Sequence, residues 1–176
     1  MSASPLYYAK VLLFGEYGII NDSKGLSIPY NYYQGAFKRE KSLTEKAKKS
    51  NESLKKYLNH LQKMQNSGDL MAHLDLQALA KDIDNGIYFD SSIPEGYGVG
   101  SSGAICAAIY DHYALNRIDP EEHINKDSIL KLKTTLGQME SYFHGKSSGL
   151  DPLICYLKFP VLINSKEELG AVTLPL

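Results

Sequence analysis

A glycine-rich segment that runs directly into an apolar stretch constrains the fold of this chain more than any other feature. The segment spans residues 94–103 (PEGYGVGSSG), and residues 104–114 after it are mostly apolar. Glycines allow turns with positive φ and let a ligand approach the main chain closely. At a helix N-terminus, such a loop presents unpaired N–H groups and the positive end of the helix dipole, which suits a phosphate chain. The segment is equally well explained as a helix entry in which Ser101 or Ser102 caps the helix.

Two other phosphate-binding patterns fit this segment less well. The P-loop requires a lysine after its last glycine, and Ser101 stands at that position. The dinucleotide pattern G-x-G-x-x-G is met by Gly98, Gly100 and Gly103. That pattern needs a strand running into its first glycine, however, and residues 94–96 intervene. An NAD-dependent oxidoreductase is therefore a disfavoured alternative.

Hydrophobic patterns elsewhere predict a domain with both helices and strands. Apolar runs bounded by turn residues predict strands at 7–14, 19–20, 26–33, 86–91, 153–157 and 161–163. Apolar residues at helical spacing predict helices at 38–63, 69–84, 104–114 and 126–143. The lysines of the first helix are interpreted as a solvated face, because acidic residues are interspersed among them. Elements mixed in this order indicate an α+β domain.

Composition limits the kinds of partner. The 176 residues include 19 basic and 20 acidic side chains, a formal net charge of -1, so neither nucleic acid nor an anionic membrane is expected to bind. The sequence lacks an apolar run of the roughly 18 residues that a membrane span needs. Cys106 and Cys155 lie in apolar surroundings and are expected to be buried free thiols of a cytoplasmic protein. The five histidines lack zinc-ligand spacing.

Three segments, in the same order along the chain, resemble motifs of the GHMP kinases. Residues 94–104 (PEGYGVGSSGA) are similar to P-x-G-x-G-L-G-S-S-A-A. Residues 9–17 (AKVLLFGEY) resemble P-G-K-V-I-L-x-G-E-H, the opening of mevalonate kinases. Residues 140–151 (ESYFHGKSSGLD) resemble E-x-x-x-H-G-x-P-S-G-x-D of the same branch. Within the family, the last motif favours the mevalonate kinases over the sugar kinases.

The resemblance implies a fold, two cofactors and an activity. The fold is the GHMP-kinase N-terminal domain (ribosomal protein S5 domain 2-like), a mixed sheet with helices packed on one side. It would span residues 1–176 and end before the C-terminal domain of the family. The activity is an ATP- and Mg²⁺-dependent phosphorylation of a small alcohol, expected to be mevalonate, giving 5-phosphomevalonate in isoprenoid biosynthesis. Phosphomevalonate kinase, diphosphomevalonate decarboxylase and a non-catalytic nucleotide-binding fragment stay open as alternatives, and a homodimer is left open as the assembly.

The matched motifs imply catalytic and metal-binding roles. Asp151 corresponds to the base that accepts the proton of the substrate alcohol, and Lys10 to a lysine beside it. A lysine within an apolar strand needs a partner, which Asp151 can supply. Glu140 corresponds to the magnesium-binding glutamate, and a loop serine completes the metal shell, Ser102 being favoured over Ser101.

The other matched positions divide between the nucleotide and the acceptor. The expected ATP-binding residues are Pro94, Gly96, Gly98, Gly100, Ser101, Ser102 and Gly103. The expected substrate-binding residues are Glu16, Tyr17, His144 and Ser148. Glu140 and His144 are four residues apart and should share one face of a helix.

The chain also departs from the motifs. Residues 8–9 (YA) replace a Pro-Gly pair, and Tyr17 replaces a histidine on the expected substrate side. Gly103 replaces an alanine, and Ser147 replaces a proline. The glycine-rich motif near the C-terminus of the family is not found in the sequence, so we expect this chain to be an incomplete enzyme.

Overall fold

The computed structural model describes residues 4–15, 24–122, 124–165 and 168–171, which form one sheet and five helices. The strands are β1 (Tyr7–Phe14), β2 (Gly25–Arg39), β3 (Ile87–Ser91), β4 (Val161–Ser165) and β5 (Glu168–Ala171). The helices are α1 (Glu45–Ser67), α2 (Leu76–Asp84), α3 (Ser101–Tyr113), α4 (Lys126–His144) and α5 (Leu150–Leu157).

The sheet is organised around β2, which is long enough to pair with three strands. β1 lies along most of its length, β3 pairs with residues 35–39, and β4 pairs with residues 25–27. β5 continues the sheet beyond β4. The predicted α+β class is confirmed. The predicted mixed sheet, by contrast, is antiparallel in every pairing of the described strands. β1, β3 and β4 run in the same direction, but each of them pairs with β2, which runs the opposite way, and the described strands show no pairing among these three.

Two long helices begin and end at signals that the sequence carries. Thr44 caps α1, its hydroxyl oxygen accepting a hydrogen bond from the Ala47 N–H at 3.3 Å, and the helix ends at Gly68. In the same way, Asn125 caps the start of α4 and the helix ends at Gly145. The helix predicted at 126–143 is therefore confirmed. The predicted start of α1 at residue 38 is wrong, because residues 35–39 pair with β3.

Three predicted boundaries differ from the structure. The helix expected over 69–84 is confined to α2, because Asp75 caps it and both backbone polar groups of Leu74 bond to the Gln65 side chain. α3 begins at Ser101, three residues earlier than predicted. The strand expected at 153–157 is part of helix α5, whose residues are buried except for the half-buried Asp151. A short apolar run buried on every side does not reveal its period.

The other predicted strands at 7–14, 26–33, 86–91 and 161–163 are confirmed within a residue or as parts of longer strands. Residues 19–20 lie outside the described residues. Both cysteines are buried and free, as predicted, and burial raises the pKa of the Cys155 thiol far above its ordinary value. In the part of the chain that the structure describes, none of the helices is both long and apolar enough to cross a membrane.

Helix α3 occupies the centre of the core and fixes the position of its neighbours. Residues 103–110 are buried apart from the half-buried Ile105, and the helix contacts β1, β2, α4 and α5. Its first turn lies very close to α5. A Cβ added at Gly103 would lie 2.8 Å from the carbonyl carbon of Asp151. The glycine-rich loop and the start of α5 are thereby brought to one place.

Candidate active site

The glycine-rich loop leads into α3 without a side chain capping the helix. Gly96, Gly98 and Gly100 have φ of 80°, 67° and 86°, a region that glycine occupies without strain. Gly100 is the N-cap, and among the described residues no side chain accepts a hydrogen bond as a cap there. The predicted alternative of a serine N-cap is therefore wrong, since Ser101 and Ser102 are the first two residues of the helix. The first N–H groups of α3 are left for an anionic ligand.

The loop is attached to β1 through Lys10. The Lys10 N–H donates to the carbonyl oxygen of Val99 at 2.9 Å. A Cβ added at Gly100 would lie 3.0 Å from the Cγ of Lys10. The close approach and the positive φ together require glycine at position 100.

Lys10 and Asp151 form an ion pair between β1 and α5. The Lys10 Nζ lies 2.8 Å from the Asp151 Oδ1, and the two side chains are 13% and 32% exposed. The contact agrees with the expectation that a lysine in an apolar strand needs a partner. Because Asp151 is the more exposed of the two, its carboxylate can meet both the lysine and a ligand.

Glu140 is a buried carboxylate with a hydroxyl donor at each oxygen. It is 3% exposed. Its Oε1 accepts a hydrogen bond from the Ser102 hydroxyl at 2.8 Å, and its Oε2 accepts one from the Ser147 hydroxyl. Burial raises the pKa of Glu140 above its ordinary value, and the nearby Asp151 charge adds to the rise. The two serine donors and His144 act in the opposite direction, because they stabilise the charged form.

The pair of Glu140 and Ser102 fits a magnesium ion. The carboxylate and hydroxyl oxygens are hard donors of the kind that Mg²⁺ prefers. They lie 2.8 Å apart, close to the ~2.9 Å between adjacent corners of an octahedron with the usual Mg–O bond lengths. Among the described residues, no group of three or more His, Cys, Asp or Glu is placed to hold a metal. The two oxygens that would contact the ion are therefore those of Glu140 and Ser102. Mg²⁺ commonly takes its other ligands from phosphates and water.

The predicted substrate-side residues fall into two groups. His144 ends α4, and its Nε2 lies 3.0 Å from the Ser102 hydroxyl, so it shares the site with Glu140 as expected from their spacing. The exposed Ser148 precedes α5, and its hydroxyl oxygen accepts from the Leu150 N–H at 3.3 Å. Glu16 and Tyr17 lie outside the described residues.

Of the predicted loop residues, Pro94 is half-buried, and Gly96 and Gly98 are exposed.

A cavity of about 550 Å³ adjoins the loop, and sequence reasoning missed it. Side chains from α1, β3, the loop, α3 and α4 line it, including Ser101, Tyr57 and Tyr142. Lysines 46, 49 and 56 also face it, although the lysine run was interpreted as a solvated face. The sequence did indicate that these three lysines lie on one side of a helix, because they are spaced three and seven residues apart.

The antiparallel sheet is not that of a dinucleotide-binding oxidoreductase, whose strands are mostly parallel. The chain belongs to the GHMP kinase family, because residues 54–158, more than half of it, match the family model of the GHMP kinases N terminal domain. No curated protein sequence matches the chain.

Solved structures similar to this chain include those of mevalonate kinases. The Methanococcus jannaschii mevalonate kinase is 15% identical with a TM-score of 0.50, and the match covers 98% of this chain and 56% of that one. A second mevalonate kinase structure is 17% identical with a TM-score of 0.52, again covering 98% and 56%. At these identities the likeness concerns the fold. The chain spans about half the length of these kinases.

Proposed function

We propose that the protein carrying this chain is an ATP- and Mg²⁺-dependent kinase that phosphorylates a small alcohol in the cytoplasm. The observation that carries the proposal is the 2.8 Å ion pair of Lys10 and Asp151, held beside the uncapped start of α3. Phosphoryl transfer needs a cradle for phosphates, a neutralising metal and a group that orients or deprotonates the acceptor hydroxyl. The loop supplies the cradle, the Glu140–Ser102 pair supplies the ligands of the metal, and Asp151 supplies the group that deprotonates the hydroxyl.

Each of these groups has a defined task in the proposed reaction. The N–H groups at the start of α3 and the loop glycines bind the phosphate chain. Asp151 accepts the proton of the acceptor hydroxyl, and Lys10 holds the Asp151 carboxylate in place. Glu140 and Ser102 hold Mg²⁺, which neutralises charge on the phosphates when it is bound. The half-buried position of Asp151 limits competition from water.

Mevalonate is the acceptor we propose, with 5-phosphomevalonate as the product in isoprenoid biosynthesis. Support comes from the motif at residues 140–151, which places His144 beside Ser102 and Ser148 before α5. The similar solved structures are of mevalonate kinases, and they support the fold on which this acceptor site is built. The 550 Å³ cavity next to Ser101 is proposed to hold the nucleoside of ATP, because nucleoside-sized ligands occupy largely apolar clefts of this size.

The test is the Asp151→Asn variant of the full-length protein, in which turnover and ATP binding are both measured. We expect kcat for mevalonate to fall about 100- to 10,000-fold, because the proton acceptor is lost, while the dissociation constant for ATP stays near that of the wild type. Near wild-type turnover would refute the role of Asp151. ADP release with phosphomevalonate or diphosphomevalonate, and none with mevalonate, would favour the other members of the family. ATP binding without turnover on any of the three would indicate a non-catalytic relative.

A further inference from the structure

Ser147 lies between α4 and α5 and makes hydrogen bonds to both sides. Its hydroxyl donates to the Oε2 of Glu140 in α4. The same hydroxyl oxygen accepts the Gly149 N–H at 2.9 Å, at the start of α5. The side chain is half-buried, so this arrangement competes only in part with water.

On the α4 side, Ser147 restricts the rotation of the Glu140 carboxylate. The two oxygens of Glu140 have different partners, with Ser102 of α3 at Oε1 and Ser147 at Oε2. Glu140 is 3% exposed, so a carboxylate that turned away from these donors would lack water to replace them. With Oε2 held by Ser147, Oε1 is the oxygen directed to the start of α3.

On the α5 side, Ser147 bonds to a residue with almost no freedom to move. Gly149 is the N-cap of α5 and has φ of 73°. A Cβ added at Gly149 would lie 2.0 Å from the Lys133 carbonyl oxygen, and one at Gly137 would lie 3.2 Å from the Gly149 Cα. The start of α5 is therefore in main-chain contact with α4. Asp151 follows two residues later, in the first turn of that helix.

We propose that Ser147 is a positioning residue that fixes the Glu140 carboxylate relative to Asp151 and thereby sets the affinity of the site for a divalent cation. The inference rests on the proposed function, because it assumes the cation site of that proposal. A hydroxyl is required at this position because one atom must donate to Glu140 and accept from Gly149. Neither the proline of the resembled motifs nor an alanine could do both.

The experiment measures Mn²⁺ binding to the full-length protein by electron paramagnetic resonance, in the presence of ADP and without turnover. We expect Ser147→Ala to weaken Mn²⁺ binding about 10-fold or more, as is usual when a group that orients a metal ligand is removed. Ser147→Thr keeps the hydroxyl and should bind Mn²⁺ as the wild type does. Ser147→Cys keeps the volume of the side chain but has a much weaker donor, so it should also weaken Mn²⁺ binding. It replaces Ser147→Ala as the test variant if the alanine variant does not fold.

Ser141→Ala is the matched control. Ser141 follows Glu140 in α4, but its hydroxyl donates to the Gln138 carbonyl within the same helix, so this variant should bind Mn²⁺ normally. The proposal is overturned if Ser147→Ala and Ser147→Cys bind Mn²⁺ as the wild type does, or if Ser141→Ala weakens binding equally. A wild type that binds Mn²⁺ with ADP but phosphorylates no alcohol would refute the proposed function and leave the role of Ser147 standing. A wild type that does not bind Mn²⁺ refutes both.

Discussion

At the scale of single residues, Lys10 is the cation on which the proposed chemistry depends. It is 13% exposed and lies 2.8 Å from Asp151. Lys10→Met keeps the length of the apolar stem but leaves the Asp151 carboxylate without its partner. We expect kcat to fall about 100-fold, because a preorganised donor is lost from the site. Steady-state kinetics with ATP and mevalonate measures the effect, and Lys63→Met, at an exposed position of α1, serves as the control. Equal kcat values for the two variants would contradict the role of Lys10.

Gly103 gives a second prediction at the residue scale, and here motif and packing disagree. The resembled motif has alanine at this position, whereas a Cβ here would lie 2.8 Å from the Asp151 carbonyl carbon and from the Pro152 nitrogen. Gly103→Ala should therefore lower the free energy of unfolding by about 1–3 kcal/mol, as overpacking usually does. Urea denaturation measures it. Gly170→Ala is the control, since a Cβ there meets nothing within 4 Å. A Gly103→Ala protein as stable as the wild type would show that α3 and α5 can separate freely.

At the scale of elements, Asp90 joins β2, β3 and α1. Its carboxylate lies 2.7 Å from the Lys38 Nζ and 3.1 Å from the Lys46 Nζ. The hydrogen bonds from these two lysines lower the pKa of Asp90 below its ordinary value. The unfolded chain therefore binds more protons at acidic pH. The resulting stabilisation is present above the unfolded-state pKa of about 3.9 and is lost as pH falls through the lower folded-state value.

Asp90→Asn should reduce the free energy of unfolding at pH 7 by at most about 1 kcal/mol, since both lysines are largely exposed and solvent screens the pair. The difference should shrink in 1 M salt and vanish once pH falls below the folded-state pKa. Thermal unfolding across pH measures it. Asp84→Asn removes a carboxylate that is 77% exposed and 3.8 Å from Lys55, and it should change stability less. A difference between Asp90→Asn and wild type that persisted at the lowest pH would exclude this electrostatic origin.

The elements also show what the sequence could and could not reveal. Local signals gave the ends of α4, because Asn125 and Gly145 act within a turn of the helix. Both predicted ends of α1 were wrong, although Thr44 and Gly68 cap it, because the pairing of residues 38–39 with β3 depends on a distant part of the chain. Residues 153–157 could not be assigned to a helix from the spacing of their apolar residues, because α5 is apolar on nearly every side. In the site, the need for charge compensation predicted that Lys10 has a partner, and the resembled motifs implied that this partner is Asp151. The bond from Ser147 to Glu140 could not be predicted, since it depends on how α4 and α5 meet.

At the scale of the whole molecule, the cavity beside the loop exists only because α1, β3, α3 and α4 meet there. Ser53 is an exposed residue of α1 on its wall. Ser53→Trp places a large ring in the cavity without touching Lys10, Asp151 or Glu140. If the nucleoside of ATP lies there, the KM for ATP should rise about 10-fold or more, equivalent to ~1.4 kcal/mol of binding free energy. The KM for mevalonate should not change.

The comparison that decides this prediction is Asn59→Trp. Asn59 is exposed on the same helix and does not line the cavity, so its replacement introduces the same ring on a different face. Kinetics at varied ATP and at varied mevalonate separates the two effects, because a ring that only disturbed the fold would change both KM values and kcat together. Unchanged ATP kinetics in Ser53→Trp would place the nucleoside elsewhere, while the phosphate site at the start of α3 and the ion pair of Lys10 and Asp151 would keep their proposed roles.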